Sequence, residues 1–149
     1  MKVLIDTNVI LDVLLVRDPF FDKSDEAIRI CTKKGIECSL AAHTITNIYY
    51  LTRKNFTNDV ERREVILNLF KTFKVIKIDS KKLVAALRNN EIKDFEDCLQ
   101  VECAKSVKAD CIITRDAKDF TNSEITFLTP EEFCSKFEEN SNDISGVFL

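Results

Sequence analysis

Acidic side chains follow apolar runs at two places in this sequence, and a third acid lies in a helix start. Asp6 comes directly after residues 3–5, and Asp116 follows residues 111–114. Asp97 falls in the first turn of a predicted helix. Carboxylates at close range repel one another unless a cation lies among them, and hard oxygen ligands suit Mg²⁺ or Mn²⁺. If the fold brings them together, these acids predict a site where a metal polarises a phosphodiester and activates water.

The predicted elements would bring these acids to one edge of a sheet. Short runs rich in Val, Ile, Leu or Phe indicate buried strands at residues 3–6, 37–41, 74–78, 111–114 and 125–128. Apolar periodicity and caps predict helices at residues 24–33, 44–54, 58–73, 80–88, 94–105 and 131–138. Strands that alternate with helices predict an α/β fold with a parallel sheet. Such sheets bind ligands beyond the carboxyl ends of their strands.

Length and composition set limits on the class of protein. The chain of 149 residues fits one domain, which we place at residues 1–138, with a polar, flexible tail at 139–149. Its two glycines exclude the glycine-rich loops that hold nucleotide phosphates. A net charge of −3 argues against a broad polyanion-binding surface. No apolar run suggests a membrane span, and acids interrupt the apolar N-terminus, which does not fit a signal peptide.

The cysteines predict a reducing compartment. The chain has six of them, and none forms a C-x-x-C pair. With a single histidine, His43, they do not suggest a Cys/His zinc cluster. Most lie in apolar runs or predicted helices, where a thiol behaves as a small hydrophobe. We therefore expect reduced core cysteines in a cytoplasmic protein.

The motifs resemble those of the PIN domain family, best known from VapC-type toxin ribonucleases. Residues 3–9 are similar to the first family motif, residues 94–100 to the third with Asp97 in the acidic position, and residues 114–116 to the fourth. The resemblance extends from Asp6 to about residue 133. It implies a three-layer α/β/α fold with five parallel strands, and an Mg²⁺- or Mn²⁺-dependent endoribonuclease site held by Asp6, Asp97 and Asp116.

One position departs from the family pattern. The second motif usually carries a Glu on the helix after the second strand, and the matching residue here is Asn47. An amide oxygen can ligate Mg²⁺ or orient a water, but it carries no charge. Asp94 precedes Asp97 by one turn, on the same helix face, and is a candidate replacement ligand.

Several other side chains are candidates for supporting roles. Thr7, Asn8 and Thr114 are expected to hold the carboxylates by hydrogen bonds. The cations that could contact phosphates are Arg115, Arg53 and Lys54. Asp12 lies within the helix that is expected to follow Asp6, and we interpret it as a solvated surface residue.

Three functions remain open at this point. The first is a toxin nuclease with an RNA substrate, a protein antitoxin and a homodimeric state, since family members usually dimerise. The second is a degenerate PIN domain that binds RNA or protein without cutting, because Asn47 replaces the usual Glu. The third is another α/β phosphate enzyme, but phosphatases of the haloacid dehalogenase type need an Asp where Asn8 stands.

Overall fold

The chain forms five strands and seven α-helices within the part that the structure, a computed structural model, describes, namely residues 1–120 and 123–142. The strands are β1 (Lys2–Ile5), β2 (Glu37–Ala41), β3 (Lys74–Ile76), β4 (Cys111–Ile113) and β5 (Thr126–Leu128). The helices are α1 (Thr7–Leu14), α2 (Phe21–Lys34), α3 (Ala42–Leu51), α4 (Asp59–Thr72), α5 (Ser80–Arg88), α6 (Phe95–Ser106) and α7 (Pro130–Asn142).

All five strands are parallel, in the order β3-β2-β1-β4-β5. The central strand β1 pairs with β2 through Leu4 and Ser39, and with β4 through Ile5 and Ile113. The chain first adds strands on one side of β1 and then returns to add strands on the other. The strand order therefore reverses at β1, and a crevice opens at its carboxyl end. The predicted α/β fold with a five-stranded parallel sheet is confirmed.

The core lies in two layers, one on each face of the sheet, because successive side chains of a strand point to opposite faces. On β1, Val3 and Ile5 belong to one buried cluster and Leu4 to the other. The first cluster takes in residues of α1, α2, α3, α4 and α7, and the second takes in residues of α5 and α6. The sheet is therefore the middle layer of three, with helices packed on both of its faces.

Some helix ends differ from the sequence prediction. Helix α2 begins at Phe21, three residues before the predicted start at Ser24, so Ser24 lies inside the helix and does not cap it. The Ser24 side chain is buried, and its hydroxyl donates to Asp12 Oδ2 at 3.2 Å. Helix α7 continues to Asn142, past the predicted end at residue 138. The rest of the predicted tail, residues 143–149, lies outside the described residues.

Most of the cysteines lie in the core, as the sequence predicts. All six cysteines are free, and five of them are buried. No helix among the described residues is long and apolar enough to cross a bilayer.

Candidate active site

A cavity of about 260 Å³ opens at the carboxyl end of the sheet. Its lining includes the predicted acids and two of their predicted supporting residues, Thr7 and Asn8. The lining residues are Asp6, Thr7, Asn8, His43, Asn47, Leu51, Asp94, Glu96, Asp97, Gln100 and Asp116. Among the described residues that line it, five are carboxylates and none is Lys or Arg. The cavity therefore has a strongly negative potential that favours a cation.

Asp6 lies at the base of this cavity, in the turn from β1 into α1. It is the N-cap of α1, and its Oδ1 accepts a hydrogen bond from the backbone N–H of Thr7 at 2.7 Å. The Thr114 hydroxyl donates to Asp6 Oδ2 at 2.9 Å, and Thr114 Oγ1 accepts from the backbone N–H of Asp116 at 3.2 Å. Thr114 thus joins the ends of β1 and β4, and it is one of the residues that the sequence analysis predicted to hold Asp6.

Burial raises the pKa of the Asp6 carboxyl above its ordinary value. The hydrogen bonds from Thr114 and Thr7 act in the opposite direction, the charge of Asp116 raises the pKa further, and that of Arg115 lowers it. Asp6 is 9% exposed, so water screens this charge poorly. A cation in the cavity would relieve the cost of ionising the carboxyl.

The remaining acids come from the start of α6 and the turn after β4. Asp97 is partly buried and Asp116 is exposed. Asp94 caps α6, with its Oδ1 accepting from the backbone N–H of Asp97 at 3.1 Å. The cap role uses one Asp94 oxygen, which leaves the other for the cavity.

We expect Asp94→Ala to lower the free energy of unfolding by about 1 kcal/mol, because the N-cap hydrogen bond is lost. Asp94→Asn should cost much less, since Asn caps helices about as well as Asp. Urea unfolding followed by circular dichroism measures both. Equal losses in the two variants would show that the carboxylate charge, rather than the cap, stabilises this helix start.

Asn47 is held by an acid that the sequence did not single out. Its Nδ2 donates to Glu96 Oε2 at 3.0 Å, across the gap between α3 and α6. Glu96 itself is exposed and Asn47 is partly buried. The position that usually carries a family Glu therefore donates to a carboxylate here.

Gln100 and Thr44 form a buried support beneath the acids, which the sequence reading also missed. Gln100 Nε2 donates to Asp6 Oδ1 at 3.2 Å and to Thr44 Oγ1 at 3.3 Å. The Thr44 and Thr7 hydroxyls lie 3.0 Å apart. Gln100 is one turn after Asp97, and residues three apart share a helix face. This spacing from Asp97 could have identified Gln100 as a cavity residue from the sequence.

The three predicted phosphate-binding cations lie outside the cavity lining. Arg115 Nε lies 3.3 Å from Asp12 Oδ2, and its guanidinium lies 4.0 Å from the Phe20 ring centre. Arg53 packs over the Tyr50 ring at 4.1 Å. Lys54 is exposed beyond the end of α3. Arg115 is thus engaged with Asp12, whereas Arg53 and Lys54 lie on the surface near one rim.

The prediction that Asp12 is a solvated surface residue is wrong. Asp12 is fully buried, at 0% exposure. Burial raises its pKa, while the charge of Arg115, the Ser24 hydroxyl and the charge of Arg17 lower it. Asp12 therefore connects α1 to the segment that carries Asp116.

The oxygen atoms that line the cavity are of the kind that binds a hard divalent cation. Carboxylate and amide oxygens line the cavity, and Gln100 Oε1 is a buried oxygen for which the described residues supply no hydrogen-bond partner. Within residues 1–120 and 123–142, no three His, Cys, Asp or Glu side chains converge into a ready metal cage. Mg²⁺ does not require one, because it keeps several waters and binds through one or two carboxylates.

Comparison with known proteins agrees with this fold. The profile of the PIN domain family matches residues 2–118. Ribonuclease VapC1 of Aquifex aeolicus (strain VF5) is 29% identical over 141 residues, which cover 91% of this chain and 95% of the relative. The chain belongs to the PIN domain family.

Solved structures show the same architecture at low identity. VapBC-1 from nontypeable Haemophilus influenzae superposes with a TM-score of 0.68 and 15% identity, over 88% of this chain and 99% of that one. A toxin–antitoxin complex from Klebsiella pneumoniae gives a TM-score of 0.63 and 20% identity, over 86% and 97%. These likenesses show a shared fold.

Proposed function

We propose that this chain is an Mg²⁺- or Mn²⁺-dependent endoribonuclease. The observation that carries the proposal is the meeting of Asp6, Asp97 and Asp116, from three distant segments, around one acidic cavity at the carboxyl end of the sheet. RNA is the proposed substrate because the similar Aquifex protein is named a ribonuclease.

Each acid has a proposed role in holding the metal. Asp6, Asp97 and Asp116 are the proposed ligands, and Asp94 adds negative charge at the rim. When bound, the metal polarises the phosphodiester and lowers the pKa of a coordinated water. The Thr7 backbone N–H and the Gln100 amide hold Asp6 Oδ1, while Thr114 holds Oδ2, which keeps a second lone pair for a ligand. Asn8, which also lines the cavity, is proposed to orient these acids.

The substrate must be guided to an acidic cavity by cations outside it. We propose Arg53 and Lys54 as phosphate contacts, because they closely follow Leu51, the last residue of α3, which lines the cavity. Arg115 is a further candidate if it can leave Asp12. The amide of Asn47 would help to position the metal or the attacking water.

A toxin role is part of the proposal. The Klebsiella structure is described as a toxin–antitoxin complex, and we propose a protein antitoxin, a homodimer and a cytoplasmic setting for this chain as well. The alternative, a degenerate PIN domain that only binds RNA or protein, rests on Asn47 alone and is not favoured by the similarity to a ribonuclease.

Cleavage of a structured RNA pool tests the activity. We expect the wild type to cut in Mg²⁺ or Mn²⁺ and to stop when EDTA is added. Asp116→Asn should lose the activity, because it removes one proposed ligand. Asp79→Asn is the matched control, since Asp79 is an exposed helix cap that does not line the cavity. A wild type that leaves RNA intact with both metals would overturn the proposal.

A further inference from the structure

The hydrogen bond between Asn47 and Glu96 joins helices α3 and α6 at the cavity. Asn47 lies on α3 and Glu96 in the first turn of α6, and Nδ2 and Oε2 are 3.0 Å apart. Both side chains line the acidic cavity. A carboxylate only accepts hydrogen bonds, so the Asn47 amide must turn its nitrogen toward Glu96. The contact therefore fixes the orientation of both groups.

We propose that Glu96 supplies the carboxylate that position 47 lacks, and that Asn47 is the positioning residue that holds it at the metal site. This rests on the proposed function and adds a residue to its metal site. The carboxylate at this place therefore comes from Glu96 on α6, which is hydrogen-bonded to Asn47 on α3. An exposed Glu has three side-chain torsions, so a fixed partner reduces the entropy lost when it binds a cation.

Glu96 is a better candidate than Asp94 for this role. One Asp94 oxygen caps α6 by accepting from the backbone N–H of Asp97, so a single oxygen remains for a cation. The Glu96 carboxylate contacts the side chain that occupies the usual Glu position.

An independent observation indicates that this cavity receives a ligand. Gln100 is 2% exposed and lines the cavity, and its Oε1 has no hydrogen-bond partner among the described residues. A buried acceptor without a donor is costly. Its other end, Nε2, is held by Asp6 and Thr44, so the amide cannot turn freely to satisfy it. A hydrated cation at this place would supply the missing donor through its bound water.

Binding of Mn²⁺ measures the role of Glu96 without relying on cleavage. Free Mn²⁺ gives a six-line electron paramagnetic resonance signal that disappears on binding. We expect Glu96→Gln to weaken binding by about tenfold to 100-fold. Asp94→Asn, which removes a charge at the same rim and keeps the cap, should weaken it by no more than about threefold. Glu64→Gln removes an exposed charge on α4 and should stay within about twofold.

Exchange of the two side chains tests the pairing itself. Asn47→Ala should weaken Mn²⁺ binding less than Glu96→Gln, and adding it to Glu96→Gln should cause little further loss, because both act through one carboxylate. The double substitution N47E/E96Q restores one carboxylate and one amide in reversed positions. We expect it to recover most of the affinity lost in Glu96→Gln.

The outcomes separate this assignment from the proposed function. A wild type that does not bind Mn²⁺ would overturn both. A wild type that binds, with Glu96→Gln no weaker than Asp94→Asn, would overturn the assignment of Glu96 alone. Failure of N47E/E96Q to improve on Glu96→Gln would overturn the pairing. Circular dichroism of each variant confirms that the comparison concerns folded protein.

Discussion

Replacement of Asp6 by Asn is expected to lower metal-dependent RNA cleavage by at least about 100-fold while leaving the protein folded. Polarisation by a bound metal is worth several kcal/mol of transition-state stabilisation, and about 3 kcal/mol corresponds to this factor. Asp6 is the most buried of the cavity carboxylates, and both of its oxygens are fixed by hydrogen bonds. A neutral amide of nearly the same shape loses the charge; its oxygen can still accept from the Thr7 backbone N–H, and its NH2 can donate to the Thr114 hydroxyl, which reverses that bond. Single-turnover cleavage rates in Mg²⁺ measure the loss.

The same substitution should make the metal-free protein more stable at neutral pH. Burial raises the pKa of Asp6 in the folded chain. A raised folded pKa gives stability that is complete below the ordinary carboxyl range and is lost as the pH rises through the folded pKa. The Asn side chain does not titrate. The difference in free energy of unfolding between Asp6→Asn and the wild type should therefore grow as the pH rises from the ordinary carboxyl pKa to the folded pKa of Asp6, and stay constant above it.

Thermal unfolding in EDTA across acid and neutral pH checks this expectation. Asp79→Asn serves as the control, because the pKa of Asp79 is lowered, chiefly by the backbone N–H of Lys82. Its substitution should therefore have the opposite effect on stability at neutral pH. If Asp6→Asn loses activity and stability together, the residue holds the fold and its catalytic role is not established.

The strand-end carboxylates were predictable because parallel strands share one edge. Asp6 and Asp116 each follow a short apolar run, and the sequence alone indicates that the carboxyl ends of such strands meet. The caps at Asn58 and Asp94 were predictable for a similar reason, since they depend on the next three residues only.

Contacts between distant elements were not predictable in this way. Glu96 and Asn47 are 49 positions apart, and their pairing depends on how α3 and α6 pack. Asp12 was misread because helix position alone does not tell a solvated acid from one paired across the fold. Its partner Arg115 follows β4, which lies next to β1 only in the folded sheet.

Arg115→Ala is expected to lower the free energy of unfolding by about 3 kcal/mol at neutral pH. Removal of one partner from a buried ion pair leaves the other charge uncompensated and typically costs about 3–5 kcal/mol. Asp12 is fully buried, but the Arg115 side chain is 23% exposed and Arg17 still lies 4.0 Å from Asp12, so the lower end applies. Arg115→Lys keeps a charge and should lose less. Urea unfolding measures both.

The dependence of this loss on pH tells charge from packing, because Arg115 also covers the Phe20 ring. Burial raises the pKa of Asp12, and the charge of Arg115 lowers it. Without Arg115 the folded pKa rises further, so the stability lost as pH increases through that pKa is larger than in the wild type. The difference between the two proteins should therefore be small in acid and grow toward neutral pH. A loss that is equal at all pH values would mean that Arg115 acts by packing on Phe20, and its charge would then be available for the RNA backbone.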